Sequence, residues 1–279
     1  MIDLLSQTGG LSGLLRHYPR LFVLTGAGLS AASGLPTYRD EAGRWLYRKP
    51  IQHRDFVRDF ATRQRYWARS LMGWPAVHEA QPNRSHRSLA RLEQAGHVEL
   101  LVTQNVDRLH QRAGHRRVLD LHGRLDRVDC LGCSRVIERE TLQASLRALN
   151  PVFEQPHGAA RPDGDRDLPD EMLNRFQVPP CPACGGVLIP QVVFFGGTVP
   201  RARVDSAMQA LRRADALLAI GTSLQVYSGF RFCREANRLG KPIAIVNPGT
   251  TRADELATLR LWQAADAALD QATDSIRLR

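Results

Sequence analysis

The stretch from Gly26 to Arg39 concentrates residue types suited to holding a phosphate. An apolar run at 21–24 reads as a buried parallel strand and leads directly into Gly26-Ala27-Gly28-Leu29-Ser30-Ala31. Gly26 permits a tight turn, Gly28 lets the backbone approach a phosphate, and Ala31 is small enough for a helix to pack onto the strand. Backbone N–H groups at that helix start would face a pyrophosphate, and Ser30 adds a hydroxyl. Ser33-Gly34-Leu35-Pro36 then breaks the helix, and Thr37-Tyr38-Arg39-Asp40 follows in a loop. An Arg just past a phosphate turn can make a forked, charge-assisted contact. Glycine spacing alone is a weak signal, since a plain strand-to-helix turn explains it as well.

Three further groups carry chemistry. Cys130/Cys133 and Cys181/Cys184 are two Cys-x-x-Cys pairs, followed by the turn-forming Ser134 and Gly185-Gly186. Four thiolates make a closed tetrahedral site, so the spacing predicts one structural zinc ion. Two disulfides are the competing reading, disfavoured in a chain too large to need staples. The remaining Cys233 reads as a small core residue on a helix. His122, in Leu121-His122-Gly123, follows an apolar run; a lone His after a strand is more often a surface or core residue, but this one shares a sheet edge with four other polar loops. Gln104-Asn105-Val106-Asp107 follows another such run; Asn105 and Asp107 can serve a site or merely cap a short helix at 106–112.

Positioning these groups requires a regular frame. Apolar runs at 21–24, 98–102, 118–121, 216–220 and 243–246 read as strands. Helical patterns lie between them at 85–94, 201–213 and 229–239, with Gly96 and Gly240 as C-terminal stops. The alternation predicts an α/β fold, a Rossmann-like doubly wound parallel sheet. Ligands in such sheets sit at the carboxyl ends of the strands. Five polar loops fall there, including Gly221-Thr222-Ser223 and Asn247-Pro248-Gly249. The expected large domain comprises residues 1–44, 82–124 and 190–279. A helical excursion at 45–81, with a helix near 55–72, and a zinc module at 125–189 are inserted into it. Residues 150–180, rich in Pro, Gly, Asp and Arg, read as a long loop reaching toward the site.

Bulk properties narrow the classes. The 279 residues are 43% hydrophobic, and the net charge is +10. Lys49 and Lys241 are the only lysines, so nearly all positive charge is arginine, spread along the chain and not in a tract. Acidic small ligands fit this balance; stable nucleic-acid binding is not expected. No apolar run approaches the ~20 residues of a membrane span. Residues 1–17 show no signal-peptide pattern, so the expected location is the cytoplasm.

Together these motifs resemble the sirtuins. The residues that match are the Gly26-Ala27-Gly28-Leu29-Ser30 turn with Ser33–Pro36 and Arg39, Gln104-Asn105-Val106-Asp107, Leu121-His122-Gly123, the two cysteine pairs, Val193-Phe194-Phe195-Gly196, Gly221-Thr222-Ser223 and Asn247-Pro248-Gly249. They follow the family order across nearly the whole chain. Within the family, residues 63–69, 162–165 and 223–229 are similar to the class II branch of the mitochondrial sirtuin four type. Tyr38 stands where the family usually has Phe.

The resemblance implies NAD as co-substrate and acyl-lysine proteins as partners: nicotinamide leaves, and the acyl group passes to ADP-ribose. It implies His122 as base, Asn105 orienting ribose or water, and Asp107 accepting from the nicotinamide amide. It assigns Gly26, Ala27, Gly28, Ser30, Pro36, Thr37, Tyr38, Arg39 and Gln104 to the cofactor, with Gly221, Thr222, Ser223, Asn247, Pro248, Gly249 and Ala265 toward its adenosine side. Val193, Phe194, Phe195, Gly196, Leu224 and Val226 would flank an extended peptide. Tyr66 and Arg69, one helical turn apart, would grip an acyl carboxylate, which predicts a preference for acidic or branched acyl groups. A monomer is expected. Competing readings are a protein ADP-ribosyltransferase and a non-catalytic zinc and nucleotide module. A conventional dehydrogenase is disfavoured: it needs an acidic residue ~20 positions past the glycines, and Asp40 and Glu41 come too early.

Overall fold

A computed structural model describes residues 10–40, 42–47, 50–153 and 160–277. Glu41, Lys49, residues 1–9 of the segment read for a signal peptide, 154–159 of the long loop and 278–279 lie outside the described residues. In chain order the strands are β1 (Leu21–Thr25), β2 (Val98–Thr103), β3 (Val118–Asp120), β4 (Gly123–Cys130), β5 (Val136–Glu138), β6 (Ala160–Arg161), β7 (Asp165–Arg166), β8 (Leu188–Val192), β9 (Ala216–Ile220), β10 (Ile243–Val246) and β11 (Leu259–Leu261).

Six strands form one sheet in the order β11-β10-β9-β1-β2-β3, and every pairing in it is parallel. The five expected strands are all present. β11 adds a sixth that the sequence pattern does not reveal, because only Leu259 of its three residues is buried. β1 is buried on both faces, with Leu21 and Val23 in one core layer and Phe22 and Leu24 in the other. That alternation follows from the two-residue period of a strand. The helices Gly10–His17, Arg84–Gln94 and Ala265–Arg277 supply apolar residues to the first layer, and Arg201–Arg213 and Tyr227–Arg238 to the second. The order reverses at β1, where connections pass to either side, so the carboxyl ends of β1, β2 and β9 meet at the switch point.

The expected helix at 55–72 is two helices, His53–Arg58 and Phe60–Glu79. Asp59 separates them in extended conformation and caps the second, accepting from Thr62 N–H at 2.7 Å. The expected helix at 106–112 shrinks to Leu109–Arg112, because Arg108 has a φ of 66°. Residues 193–195 and 223–226 lie outside the named strands.

β5, β4 and β8 form a three-stranded antiparallel sheet carrying the cysteine module. Residues 150–153 and 160–180 form more regular structure than their composition suggests. Phe153, Leu173 and Phe176 enter a core with Phe56, Trp67 and Phe194, and β6 and β7 form a short hairpin.

Candidate active site

The glycines of the first turn are required by packing between two turns. A Cβ on Gly28 would lie 2.9 Å from the Gly221 carbonyl oxygen, and one on Gly26 would lie 2.8 Å from Thr222 Cβ. Gly221 itself has a φ of +63°, and its Cβ would meet Leu29 N at 2.5 Å. The turns after β1 and β9 therefore touch backbone to backbone, and this contact removes side chains from the floor of the cleft. Two sequence expectations change. Ala31 is exposed in the cleft wall, and Leu29, 1% exposed, does the packing onto the sheet. Ser30 is buried and donates its hydroxyl to Asp107 Oδ2 at 2.7 Å, so that proton is not offered to a phosphate.

Behind this floor, Asn105 Nδ2 donates to the Gly26 carbonyl and to Ser30 Oγ, both at 3.0 Å. Asp107 Oδ1 accepts from Leu109 N–H at 2.9 Å, so Asp107 does cap the short helix. Burial raises the Asp107 pKa, and the two donors oppose that rise. Ser30, Pro36 and Asp107 surround a small separate void. Asn105 reaches both that void and the main cleft. Gln104 Nε2 ties the sheet edge together by donating to Thr25 carbonyl and Thr222 Oγ1.

His122 occupies the turn between β3 and β4. Gly123, at φ +87°, makes this turn possible: a Cβ there would fall 1.9 Å from the Gln191 carbonyl oxygen. His122 Nδ1 lies 3.0 Å from the Gln104 carbonyl oxygen. A carbonyl only accepts, so Nδ1 carries the hydrogen and Nε2 presents its lone pair. That lone pair accepts from Ser228 Oγ at 2.7 Å. Burial, the first cause, pulls the His122 pKa down to about 4, with Arg203 and Arg231 pushing the same way against the Gln104 hydrogen bond. The imidazole is neutral at pH 7. The sequence pattern does not single out Ser228; a serine near a helix start carries no local signal for a contact 106 residues away.

These groups share one cleft of about 2170 Å³. It exceeds the ~300–1,000 Å³ of a single small-molecule pocket and has room for two ligands. Lining it are Gly26, Ala27, Gly28, Thr37, Tyr38, Arg39, Gln104, Asn105 and His122. Gly221, Thr222, Ser223, Leu224, Val226, Asn247, Pro248, Gly249 and Ala265 also line it, as do Tyr66, Arg69, Val193, Phe194, Phe195 and Gly196. Arg39 is turned onto its own loop, its guanidinium 4.2 Å from the Trp45 ring centre and donating to the Gly43 carbonyl. Tyr38, Trp45 and Phe195 form an edge-to-face aromatic group beside it. The Asn247–Gly249 turn is braced by Arg260, which donates to the Asn247 and Gly249 carbonyls and lies 2.9 Å from Asp254. Arg260 is equally silent in the sequence, because its strand is.

Tyr66 stands among the rings of Phe56, Trp67 and Phe194. Arg69 is not a free cation: Asp165 Oδ1 lies 2.7 Å from its Nε and Asp167 Oδ1 3.6 Å from its Nη2.

In the cysteine module the four sulfurs lie within 4.8 Å of one another. Cys130–Cys184 Sγ atoms are 3.4 Å apart and Cys133–Cys181 atoms 3.8 Å. A tetrahedron of thiolates at a Zn–S distance of about 2.3 Å has edges of about 3.8 Å. Gly186 seats the cluster: a Cβ there would stand 3.0 Å from Cys130 Sγ and 3.1 Å from Cys184 Sγ. The donor set of Cys130, Cys133, Cys181 and Cys184 fits a zinc ion. Cys233 is a buried helix residue, as expected.

A parallel sheet with ligand loops at its switch point, a buried neutral histidine in a cleft for two ligands and a four-thiolate module define a nucleotide-using enzyme of the Rossmann-like class. The Sir2 family model matches residues 26–228, and the chain belongs to that family. It is 54% identical over 259 residues to an NAD-dependent protein deacetylase of Xanthomonas axonopodis pv. citri, covering 93% of this chain and 88% of the relative. It is 46% identical over 255 residues to the NAD-dependent protein deacylase Sirt4 of Drosophila melanogaster, covering 90% and 81%. Among solved structures, a Sir2–p53 peptide–NAD+ complex superposes with a TM-score of 0.78 at 28% identity, covering 95% of this chain and 97% of that one. An NAD complex of a Sir2 homologue gives 0.74 at 31% identity, covering 96% of this chain and 93% of that one.

Proposed function

We propose that this chain is an NAD-dependent protein lysine deacylase that moves the acyl group of an acylated lysine to ADP-ribose. The observation that carries the reading is the His122 imidazole, held neutral with its Nε2 lone pair in the same cleft as the phosphate-type turns and the Val193–Gly196 segment. NAD, when bound, supplies the ribose carbon that loses nicotinamide and accepts the acyl oxygen. His122 takes a proton from a ribose hydroxyl at Nε2, while Nδ1–H stays on the Gln104 carbonyl and fixes the ring. Asn105 reaches the cleft and orients the ribose or a water. Ser30 and Asp107 act from behind, keeping the wall in register.

Gly26, Ala27, Gly28, Thr37, Tyr38 and Arg39 are assigned to the phosphates and their covering loop. Ser223, Asn247, Pro248, Gly249 and Ala265 are assigned to the adenosine. Val193–Gly196 and Leu224–Val226 flank the substrate chain. The cofactor lobe is assigned residues 1–44, 82–124 and 190–279, and the smaller lobe 45–81 and 125–189; two apolar cores within the first group, and a third drawn from the second group plus Phe194, support this division. No helix among the described residues is long and apolar enough to cross a membrane. We place the protein in the cytoplasm as a monomer that does not bind nucleic acid stably; the cytoplasmic placement is supported by a four-cysteine cluster arranged for a metal and not for disulfide staples.

The test is incubation with NAD and a panel of acyl-lysine peptides, reading nicotinamide and product mass. The expected result is O-acyl-ADP-ribose formation, lowered at least about a hundredfold in His122→Ala. No His122-dependent nicotinamide release with any peptide overturns the reading, and ADP-ribosylated protein as the product assigns transferase activity instead.

A further inference from the structure

We infer that Asp165 is the residue that sets acyl selectivity, by occupying with its own carboxylate the place beside Arg69 that a carboxylated acyl chain would need. The inference deepens the deacylase reading and rests on it. Arg69 and Tyr66 lie one turn apart on the helix Phe60–Glu79, and both line the cleft. Arg69 Nε donates to the Arg166 carbonyl at 3.0 Å, with Asp165 Oδ1 2.7 Å from the same nitrogen. Asp167 approaches the other side of the guanidinium, and Asp167 is itself paired with Arg161. Two guanidiniums thus face two carboxylates, so the charge of Arg69 is already matched before an acyl anion arrives.

The placement of Asp165 is built into the backbone. The β6–β7 hairpin turns through Pro162–Gly164 and rests directly on the helix, where a Cβ on Gly73 would come 2.3 Å from the Gly164 carbonyl oxygen. This close approach fixes the hairpin one turn beyond Arg69 on the same helix. Asp165 also lines the cleft, with 35% of its side chain exposed. Burial outweighs the help of Arg69 and raises its pKa to about 6, so this carboxylate is held at a cost. A group retained in that state, between a substrate channel and a cation, fits a selectivity role better than a stabilising one.

A terminal carboxylate on the acyl chain would place a third anion within a few ångströms of Asp165 and Asp167, in surroundings where like charges repel strongly. Neutral acyl groups, short or branched, meet no such barrier. The acidic-acyl preference expected from Tyr66 and Arg69 alone is thereby reversed at neutral pH, and lowering the pH toward 6 relaxes the exclusion.

The experiment uses the full chain with acetyl-lysine and glutaryl-lysine versions of one fluorescein-labelled peptide. Binding is read by polarisation and turnover by nicotinamide release. For Asp165→Asn, and for Asp165→Ala as the second variant, the glutaryl-to-acetyl ratio of affinities rises at least about tenfold, and KM carries the change. Adding Arg69→Ala to Asp165→Asn cancels that gain, because the freed cation is what the glutaryl group uses. An unchanged ratio in both Asp165 variants overturns the inference, as does a wild-type preference for glutaryl that Arg69→Ala removes. Absence of nicotinamide release with either peptide overturns the deacylase reading, while the affinity ratio still decides the role of Asp165.

Discussion

His122 shows how much of a catalytic side chain depends on atoms that are not its own. Its tautomer is set by the Gln104 carbonyl and its position by the Gly123 turn. The atom that must accept a proton rests against the Ser228 hydroxyl. A donor to the lone pair favours the neutral ring over the charged one. Ser228→Ala removes that donor, and the pKa rises toward the ordinary value. A hydrogen bond of about 1 kcal/mol corresponds to roughly 0.7 pH unit. The acid limb of the kcat/KM profile is therefore expected to move up by about that amount, with Ser228→Thr largely restoring it. A limb unmoved in Ser228→Ala would show that the hydroxyl does not act through His122. The same scale explains why Asp107 reads ambiguously in sequence: it lies behind the cleft, with its two oxygens on Leu109 N–H and Ser30 O–H, and so is both a cap and a brace.

At the level of elements, the two glycine turns make a sharp comparison. Gly221 and Gly34 both have positive φ, but a Cβ on Gly221 would strike Leu29 N at 2.5 Å, while around Gly34 nothing lies within 4 Å. Gly34→Ala is expected to cost about 1 kcal/mol, from the left-handed backbone alone. Gly221→Ala must also push the packed turns apart, and is expected to cost at least about 3 kcal/mol and to weaken NAD binding. Thermal unfolding of the two variants side by side, with NAD titration, checks this; equal losses would show that the turn contact is soft. Elements whose signal is local are legible in the sequence: the strands at 216–220 and 243–246 and the helix at 201–213 appear with those bounds. What escapes depends on distant partners. β11 exists because β10 offers it an edge, and Phe153, Leu173 and Phe176 are held because they find a core supplied by the helix Phe60–Glu79 and its neighbours. Within the site, residue types at strand ends are legible, whereas the contact of Arg69 with the Arg166 carbonyl, next to Asp165, spans 97 positions and leaves no local pattern.

Across the whole molecule, three histidines with lowered pKa values cluster outside the cleft. His86, His110 and His115 pack ring against ring behind the sheet edge, all buried. His110 Nε2 is 3.0 Å from Thr25 Oγ1, and His115 Nδ1 is 2.5 Å from Glu93 Oε2. Burial is the first cause that lowers all three pKa values, taking His86 to about 3, with His115 and Arg87 adding to that shift. Because the folded pKa lies below the unfolded value near 6.5, the unfolded chain binds more protons at acid pH, and stability is lost as pH falls below that value. For His86 alone the loss between pH 7.5 and pH 5 is about 2 kcal/mol. Neutral His122 contributes in the same direction, and Asp165, whose pKa is raised to about 6, regains part as it protonates. Urea unfolding at the two pH values is expected to show a lower midpoint at pH 5. His86→Gln, which cannot titrate, is expected to flatten the slope by about 2 kcal/mol even if it lowers stability at pH 7.5. A pH slope identical in wild type and His86→Gln would mean that the buried ring takes up its proton without leaving the fold.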